Sequence, residues 1–342
     1  MNKKVSIIVP CFNGERFVDR CLHSIEIQNY PYIEVVVVND GSTDQSESKI
    51  LEWKEKLENR GILLIYIKQK NQGPGSAINT GLKYISGEYL SLLDIDDEYL
   101  QGALSERVEF LENHKDMDVV RSNGWYIRKN GKSLFVYDEC EKEIYNPFVA
   151  LLEGKTNNWA GSYMVRVSSL FRFYPDREIY QSRYGQNLQI LLPVLYKKKS
   201  GFIDKPHMNY NQQENSLTRT AASDREKMDL DLDNARGYRD IREHMVRFII
   251  HDEEQAYYLS IVKNAHLRRI MQIADVYNNN YLMKQAFSEL TMEKNAQLDD
   301  YITYYHLVQP KFVPILRLIR KTRYIFEKIT KKERRTWNKI CR

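Results

Sequence analysis

The four cysteines of the 342-residue sequence are scattered and form no C-x-x-C pair. This absence argues against a zinc finger or a redox pair, and it favours a reducing cytoplasm over a disulfide framework. No run of about 18 apolar residues is present, so we expect no transmembrane helix. A signal-peptide pattern is also missing, because the first four residues lead directly into a strand-like segment.

A glycine-rich phosphate loop is absent from the place where a nucleotidyltransferase would carry it. Such enzymes combine a doubly wound sheet and paired acids with a G-x-G loop, bearing basic residues, after the first strand. The corresponding segment here is residues 11–16, C-F-N-G-E-R. A nucleotidyltransferase is therefore only an alternative interpretation.

Strand and helix patterns alternate over the first hundred residues. The predicted strands are Val5–Pro10, Glu34–Asn39, Ile62–Ile67 and Tyr89–Leu93. The helices predicted between them by their apolar spacing are Gly14–Gln28, Ser42–Glu58 and Gly75–Ile85. Ser42 and Gln45 are expected to form a capping box at the second helix. The alternation is typical of a parallel sheet with helices on both faces.

Polar clusters follow three of these strands: residues 11–13, residues 39–42 and residues 94–97. In open sheets of this type, ligands bind beyond the carboxyl ends of the strands. We therefore expect the three clusters to converge on one ligand site.

The third cluster, D-I-D-D, has the chemistry of a metal site. Asp94 and Asp96 are two positions apart, so on an extended strand end they point the same way. Adjacent carboxylates repel each other unless a cation lies between them. Mg²⁺ and Mn²⁺ suit such oxygen ligands, and Mg²⁺ is usually held by one or two carboxylates together with substrate phosphates.

The second half of the sequence is less regular. The Asn130-Gly131 pair indicates a hairpin, and helical patterns dominate towards the end. We predict one domain over residues 1–220, with a nucleotide-binding half (1–100) and an acceptor half (101–220). A helical C-terminal region is predicted over residues 221–342.

Four segments resemble, in order and spacing, the inverting glycosyltransferases of family 2. These segments are Val5–Asn13, Val37–Asp44, Asn71–Gly81 and Gly87–Asp97. The resemblance covers roughly residues 1–100, with a fainter match over residues 185–218. It implies an α/β fold of the GT-A type, a doubly wound mixed sheet with a helical C-terminal extension.

The resemblance also implies roles for individual residues. Asp40 is similar to the aspartate that accepts a hydrogen bond from the uracil ring of the donor. Asp96, with Asp94, resembles the D-x-D pair that holds Mn²⁺ or Mg²⁺. The complete set of residues expected to bind the donor is Pro10, Asn13, Asp40, Asn71, Gly73, Asn79, Asp94 and Asp96.

Two departures from the family pattern bear on mechanism. The family usually has Arg where this chain has Ile78, which affects the expected donor preference. It also has a Glu-Asp pair, including the catalytic base, where this chain has Gln186-Asn187. A neutral amide cannot accept the proton. The nearest acids, Asp176 and Glu178, are therefore the predicted catalytic residues.

A third acid, Asp97, is a further candidate for the catalytic base. It follows the D-x-D pair directly in the sequence. Its place in the chain therefore puts it in the same predicted ligand site.

The C-terminal end carries an excess of positive charge. Residues 311–342 contain 12 Lys and Arg against two acids, while the other residues carry 39 against 44. Apolar and basic residues at helical spacing over Val313–Ile329 predict an amphipathic helix. We expect this end to contact an anionic membrane surface, and no base-reading motif suggests nucleic acid.

The predicted function is transfer of a sugar from a nucleotide-diphosphate donor to a saccharide or lipid-linked acceptor, and the family resemblance implies that the donor is a UDP-sugar. The expected setting is synthesis of cell-surface polysaccharide, such as a capsule, in the cytoplasm at the inner face of the membrane. The missing base keeps a second interpretation open, a non-catalytic protein that binds sugar nucleotides or polysaccharide.

Overall fold

The computed structural model describes residues 3–136, 146–212 and 223–321. Within these ranges, nine strands form one mixed sheet. The strands are β1 (Val5–Cys11), β2 (Ile33–Asn39), β3 (Leu63–Lys68), β4 (Tyr89–Leu92), β5 (Glu98–Tyr99), β6 (Val119–Arg128), β7 (Gly131–Leu134), β8 (Tyr163–Arg166) and β9 (Gly201–Asn211).

The strand order is β3-β2-β1-β4-β8-β6-β9-β5, and β7 pairs with β6 outside this path. β1 is parallel to β2 and β4, and β2 is parallel to β3. β8 runs antiparallel to both β4 and β6, whereas β6 and β9 are parallel. The carboxyl ends of β1–β4, β6 and β9 therefore share one edge of the sheet with the first residue of β8.

Helices cover the sheet and continue beyond it. Those before residue 200 are α1 (Val18–Glu26), α2 (Ser46–Asn59), α3 (Pro74–Tyr84), α4 (Ala103–Asn113), α5 (Pro147–Glu153), α6 (Val167–Leu170) and α7 (Gln186–Leu195). Those after residue 220 are α8 (Asp224–Ile249), α9 (Glu254–Val276), α10 (Asn280–Met292) and α11 (Leu298–Val308). Residues 313–321 are also helical.

The central strands are buried on both faces, as expected for a parallel sheet between helices. Every residue of β2 is buried. Its alternate side chains enter two different hydrophobic clusters: Val36 and Val38 join one, while Val35 and Val37 join the other. This double burial explains why the strand is a nearly continuous run of valine.

The chain divides into two compact units. The first comprises Met1–Leu217 and Gly237–Val262, and the second comprises Thr218–Arg236 and Lys263–Arg342. The second half of α8 thus belongs to the unit that holds the sheet. No described helix is both long and apolar enough to cross a membrane.

The predicted alternation of strands and helices in the first hundred residues is confirmed, but the predicted capping box is wrong. α2 begins at Ser46, and Gln45 makes no side-chain cap. The Ser42 hydroxyl instead accepts a hydrogen bond from the backbone N–H of Asn13, at 2.9 Å. The residues between β2 and α2 join the loop after β1 to the loop after β2. The helix therefore starts at Ser46, four residues after the predicted start at Ser42.

Candidate active site

The loops that follow β1–β4 meet at the shared edge of the sheet. Gly14, after β1, is packed so closely against the loop after β4 that an added Cβ would lie 3.0 Å from the Ile95 side chain. The predicted convergence of polar strand ends is therefore confirmed. This edge is where ligands of open α/β sheets bind.

Asn13 joins the loops after β1 and β2. Its side-chain oxygen accepts a hydrogen bond from Thr43 N at 2.9 Å. Its backbone has a positive φ of 50°, which asparagine tolerates better than most residues. Pro10, also expected to bind the donor, pairs in register with Val38 at the end of β1 and is half-buried. Both residues thus lie at the expected edge.

Asp40 lies beneath the loop after β3 and is 4% exposed. One carboxylate oxygen accepts hydrogen bonds from Gln69 Nε2 (2.7 Å) and Gln72 N (3.0 Å). The other accepts a hydrogen bond from Gly73 N at 2.8 Å. The structure thus gives Asp40 a task that the sequence did not indicate, which is to anchor residues 69–73.

Glycine is required where the loops after β2 and β3 touch. Gly41 has φ +77°, and a Cβ there would lie 2.7 Å from Asn71 N. Gly73 has φ +86° and precedes the first residue of α3. Asn71 and Gly73, both expected from the resemblance to bind the donor, therefore lie beside Asp40.

Asn79 does not reach this edge in the way predicted. It lies in the middle of α3, and its amide clamps the backbone of Ile179: Nδ2 donates to the carbonyl at 3.0 Å, and Oδ1 accepts from the N–H at 2.8 Å. This pairing gives Asn79 a structural role in holding the chain at Ile179, and donor binding by Asn79 stays a prediction. Ile78, where the family has Arg, is 4% exposed and packs in the core.

Asp94 and Asp96 follow β4 at the centre of the edge. Asp94 is exposed at the surface of the edge. Loss of hydration around its carboxylate, followed by the adjacent charge of Asp96, raises the pKa of Asp94 to about 7. The backbone of Asp96 is fixed by hydrogen bonds from Arg20 and from Asn211 Nδ2 to its carbonyl oxygen.

Asp97 is buried beneath the pair, with 1% of its surface exposed. Its Oδ1 accepts a hydrogen bond from Asn211 N at 2.8 Å, and its Oδ2 has no partner among the described residues. Burial, followed by the charges of Asp96 and Asp94, raises the pKa of Asp97 well above its usual value. A carboxyl so enclosed cannot reach an acceptor hydroxyl in the open cleft, which removes Asp97 as the third candidate base.

The residues at this edge fit a divalent cation that is shared with a substrate. Two neighbouring carboxylates raise each other's affinity for protons, and a cation would relieve that repulsion. Among the described residues, no group of three or more His, Cys, Asp or Glu side chains forms a complete metal site. Asp94 and Asp96 would therefore hold Mn²⁺ or Mg²⁺ with help from donor phosphates.

Asn187, at the position of the family's base, does lie at the site. Its Oδ1 accepts a hydrogen bond from Tyr163 Oη at 2.7 Å. Burial, and next the charge of Asp94, raise the pKa of Tyr163 well above its usual value. The phenol therefore links Asn187 to the carboxylate pair, and an amide occupies the place where a base is expected.

The structure does not bring Asp176 and Glu178 to this edge, which argues against the catalytic role predicted for them. Glu178 forms an ion pair with Lys83, in the last turn of α3. That helix starts at the site and is 11 residues long, which puts its two ends roughly 15 Å apart. Both acids line a separate cavity of about 430 Å³ between residues 173–180 and the C-terminal half of α8.

Helix α8 contributes Tyr238 to the region around Asp94, and no sequence pattern indicated this residue. Burial and the charge of Asp94 raise its pKa, although nearby Arg242 lowers it. Gly237 lets α8 pack directly on Tyr184, since a Cβ there would lie 2.2 Å from the ring. The only available signal was this glycine within a long helical pattern.

The profile described as Glycosyl transferase family 2 matches residues 6–222, well over half of the chain. The chain belongs to glycosyltransferase family 2. The matched span contains Asp40, the D-x-D pair and Asn187, which all lie at the edge described above.

Curated relatives of this family-2 chain include GlyA of Streptococcus pneumoniae, a glycosyltransferase. It is 29% identical over 233 residues, which make up 64% of this chain and 32% of GlyA. The minor teichoic acid biosynthesis protein GgaB of Bacillus subtilis is 35% identical over 122 residues, 35% of this chain and 13% of GgaB. The chain thus spans about a third or less of the length of these relatives.

Two solved structures share the fold. Residues 1–349 of S. aureus TarS, in complex with UDP-GlcNAc, align with a TM-score of 0.57 at 18% identity, covering 88% of this chain and 86% of that one. The mannosyltransferase PcManGT of Pyrobaculum calidifontis, with GDP-Man and Mn²⁺, aligns at 0.52 and 15% identity, covering 93% and 85%. The predicted GT-A fold with a helical C-terminal region is confirmed.

Proposed function

We propose that this family-2 protein transfers a sugar from a nucleoside-diphosphate donor, with UDP as the preferred nucleotide. The observation that carries the proposal is the meeting of Asp40, the loop it anchors and the Asp94–Asp96 pair at one edge of the sheet. A nucleotide lying along this edge would place its base by Asp40 and its diphosphate by the acids.

The proposed reaction is a single displacement with inversion. The acceptor hydroxyl attacks the anomeric carbon, the bond from that carbon to the diphosphate oxygen breaks, and the hydroxyl proton passes to solvent water. A bound Mn²⁺ or Mg²⁺ would neutralise charge on the leaving diphosphate. Asp94 and Asp96 would hold that group, while residues 69–73 enclose the nucleoside and exclude water from it.

Asn187, held in place by the buried Tyr163, would orient the acceptor rather than deprotonate it. The amide still has hydrogen-bonding capacity beyond the bond it accepts from Tyr163 Oη. Its lack of basicity is also the one observation that favours the second candidate, a protein that binds sugar nucleotides or polysaccharide without catalysis. The family match gives no support to a nucleotidyltransferase.

Similar proteins support the donor class. TarS is crystallised with UDP-GlcNAc and with UDP, and PcManGT with GDP-Man and Mn²⁺. The similarity to GgaB, a minor teichoic acid biosynthesis protein, supports a role in the synthesis of a cell-surface polymer. The proposed acceptor is a saccharide or a lipid-linked saccharide, met at the cytoplasmic side of the membrane.

The C-terminal end supports peripheral contact with an anionic membrane. Ile315, Leu318 and Ile319 lie at helical spacing and are 47–62% exposed. Arg317 and Arg320 lie between and beside them. Residues 322–342 are outside the described residues, and they include the last eight residues, 322–329, of the predicted Val313–Ile329 helix. An apolar face flanked by basic residues suits the interface of an anionic bilayer.

A panel of nucleotide sugars tests the proposal. Ligands that bind the native state raise the unfolding temperature, so thermal shifts with and without Mn²⁺ identify the donor. Release of UDP from that donor, with water or saccharide as acceptor, then distinguishes an enzyme from a binding protein. Stabilisation by a UDP-sugar without any turnover would favour the non-catalytic candidate.

A further inference from the structure

Three aromatic side chains lie together on the acceptor side of the site; Tyr126, Trp159 and Tyr210 are called the aromatic cluster here. The rings of Trp159 and Tyr210 are 4.6 Å apart between centroids and inclined by 32°. Trp159 Nε1 donates a hydrogen bond to Tyr126 Oη at 2.9 Å. The hydrogen bond fixes the direction in which the indole plane faces.

Sheet topology places the aromatic cluster at the same edge as the carboxylates. Tyr126 and Tyr210 lie near the carboxyl ends of the parallel strands β6 and β9, where they pair in register. Trp159 comes four residues before β8, whose first residue lies at this edge. All three residues are half-buried in the first unit, so each keeps some exposed surface.

Asn211 connects the aromatic cluster to the carboxylates directly. It follows Tyr210, donates from its backbone to Asp97 Oδ1 at 2.8 Å, and donates from Nδ2 to the carbonyl of Asp96 at 3.1 Å. The Tyr210 ring is therefore one residue from a group that fixes the D-x-D loop. A ligand on the cluster would lie beside the diphosphate end of the donor.

The order of strands assigns this side to the acceptor. The loops after β1–β3 form the proposed nucleoside side, and the carboxylates follow β4, in the middle of the sheet. β8, β6 and β9 lie beyond β4, away from β3. In a displacement at a sugar held over β4, the attacking hydroxyl must come from the side that the nucleotide leaves free.

The three rings have different roles. Arg128 lies over the Tyr126 ring at 5.0 Å, and Phe135 packs on that ring at 4.6 Å. Tyr126 is therefore enclosed and acts on its neighbour through its hydroxyl. Trp159 and Tyr210 provide the aromatic surface. A pyranose presents a face of C–H groups that packs on such rings, and its hydroxyls can pair with the polar groups around them.

We propose that Trp159 and Tyr210 form a stacking site for a pyranose ring of the acceptor, with Tyr126 as the positioning residue. The acceptor is then a saccharide whose ring lies flat on the indole, and not an open-chain polyol phosphate. This inference rests on the proposed function, because it takes the carboxylate edge as the transfer site.

The test uses the full chain saturated with UDP and Mn²⁺, and it titrates cellobiose, chitobiose, maltose and lactose, with ribitol 5-phosphate as the open-chain probe. Saturation-transfer NMR reports which sugar protons approach the protein. At least one disaccharide should bind through the C–H face of a ring. Its affinity should fall about tenfold or more in Trp159→Ala, as expected for loss of an aromatic contact.

The matched control is Trp125→Ala. Trp125 is the neighbour of Tyr126 on β6, so its side chain points to the opposite face of the strand, where it contacts Lys132 at 4.4 Å. Disaccharide affinity should stay near wild type in this variant. Tyr126→Phe, which keeps the ring but removes the acceptor of the indole hydrogen bond, should weaken binding less than Trp159→Ala does.

Equal disaccharide binding by wild type and Trp159→Ala would overturn the proposal, and so would binding of ribitol 5-phosphate with no disaccharide, or no binding at all. The UDP affinity of each variant is measured in the same samples. Normal UDP affinity with failed saccharide binding refutes only the stacking site. Loss of UDP binding in the wild type would instead refute the proposed function.

Discussion

Replacing Asp40 by asparagine is the most informative change on the donor side, because the structure gives that carboxylate two tasks. It anchors the loop after β3 through three hydrogen bonds, from Gln69 Nε2, Gln72 N and Gly73 N. It is also the proposed partner of uracil. Asparagine has almost the same shape, so the change alters hydrogen bonding and charge with little effect on packing.

The size of the effect follows from the three contacts. A hydrogen bond to a charged group contributes roughly 1.5–3 kcal/mol. Asp40→Asn keeps one oxygen, removes the charge, and turns the other oxygen into a donor that faces a backbone N–H. Loop anchoring should weaken by roughly 2–4 kcal/mol, which corresponds to about a 30- to 700-fold loss of UDP affinity.

Calorimetric titration with UDP and CDP measures both the anchoring of the loop after β3 and the recognition of the base. Uracil donates from N3–H, whereas cytosine presents an acceptor there, so an ionised Asp40 should favour UDP. We expect Asp40→Asn to weaken UDP binding and to reduce the preference for UDP over CDP. Gln69→Ala is the control, because it removes one anchoring bond and leaves the carboxylate. It should weaken both nucleotides equally, by about tenfold or less.

Two results would refute this reasoning. A UDP dissociation constant for Asp40→Asn within about twofold of wild type would mean that the loop needs no anchor for binding. If the variant bound both nucleotides more weakly but kept the wild-type preference for UDP over CDP, the anchoring role of Asp40 would stand. Its role in recognising the base would be refuted.

Three further predictions concern other parts of the chain. Asp176→Ala and Glu178→Ala should leave the transfer rate nearly unchanged, since both acids lie at the far end of α3; a large loss in either would return them to the mechanism. Because the pKa of Asp94 is raised to about 7, Mn²⁺ must displace a proton below that pH. Its apparent affinity should therefore fall by up to about tenfold per pH unit between 7 and 5, and a flat profile would contradict Asp94 as a ligand. The full chain should sediment with anionic liposomes at low salt, whereas a chain ending at Gln309 should not. Equal sedimentation of the two chains would show that the C-terminal tail does not bind the membrane.

The donor half could be predicted from sequence because its strands are buried on both faces. Such strands are short apolar runs, and each ends where polar residues begin, so the site's edge is visible in the sequence. The D-x-D pair and Asp40 were found in this way. The anchoring of residues 69–73 was not, because a hydrogen bond from a carboxylate to a distant backbone leaves no sequence pattern.

The acceptor half could not be predicted in the same way. Asp176 and Glu178 are 10 and 8 residues from Gln186 in sequence, and that closeness suggested a shared site. The intervening chain crosses from one end of α3 to the other, as the Lys83 ion pair and the Asn79 clamp on Ile179 demonstrate. Tyr163 lies at the site because β8 is antiparallel to β4, a pairing that no local pattern specifies.

The central claim, a metal-dependent transfer centred on the D-x-D pair, is tested most directly by UDP release from the preferred UDP-sugar in wild type and Asp96→Ala. Both are assayed with Mn²⁺ and with excess EDTA. The account predicts turnover only for wild type with Mn²⁺, and loss of Mn²⁺-dependent UDP binding in the variant. Undiminished wild-type turnover in EDTA, or normal turnover by Asp96→Ala, would contradict it.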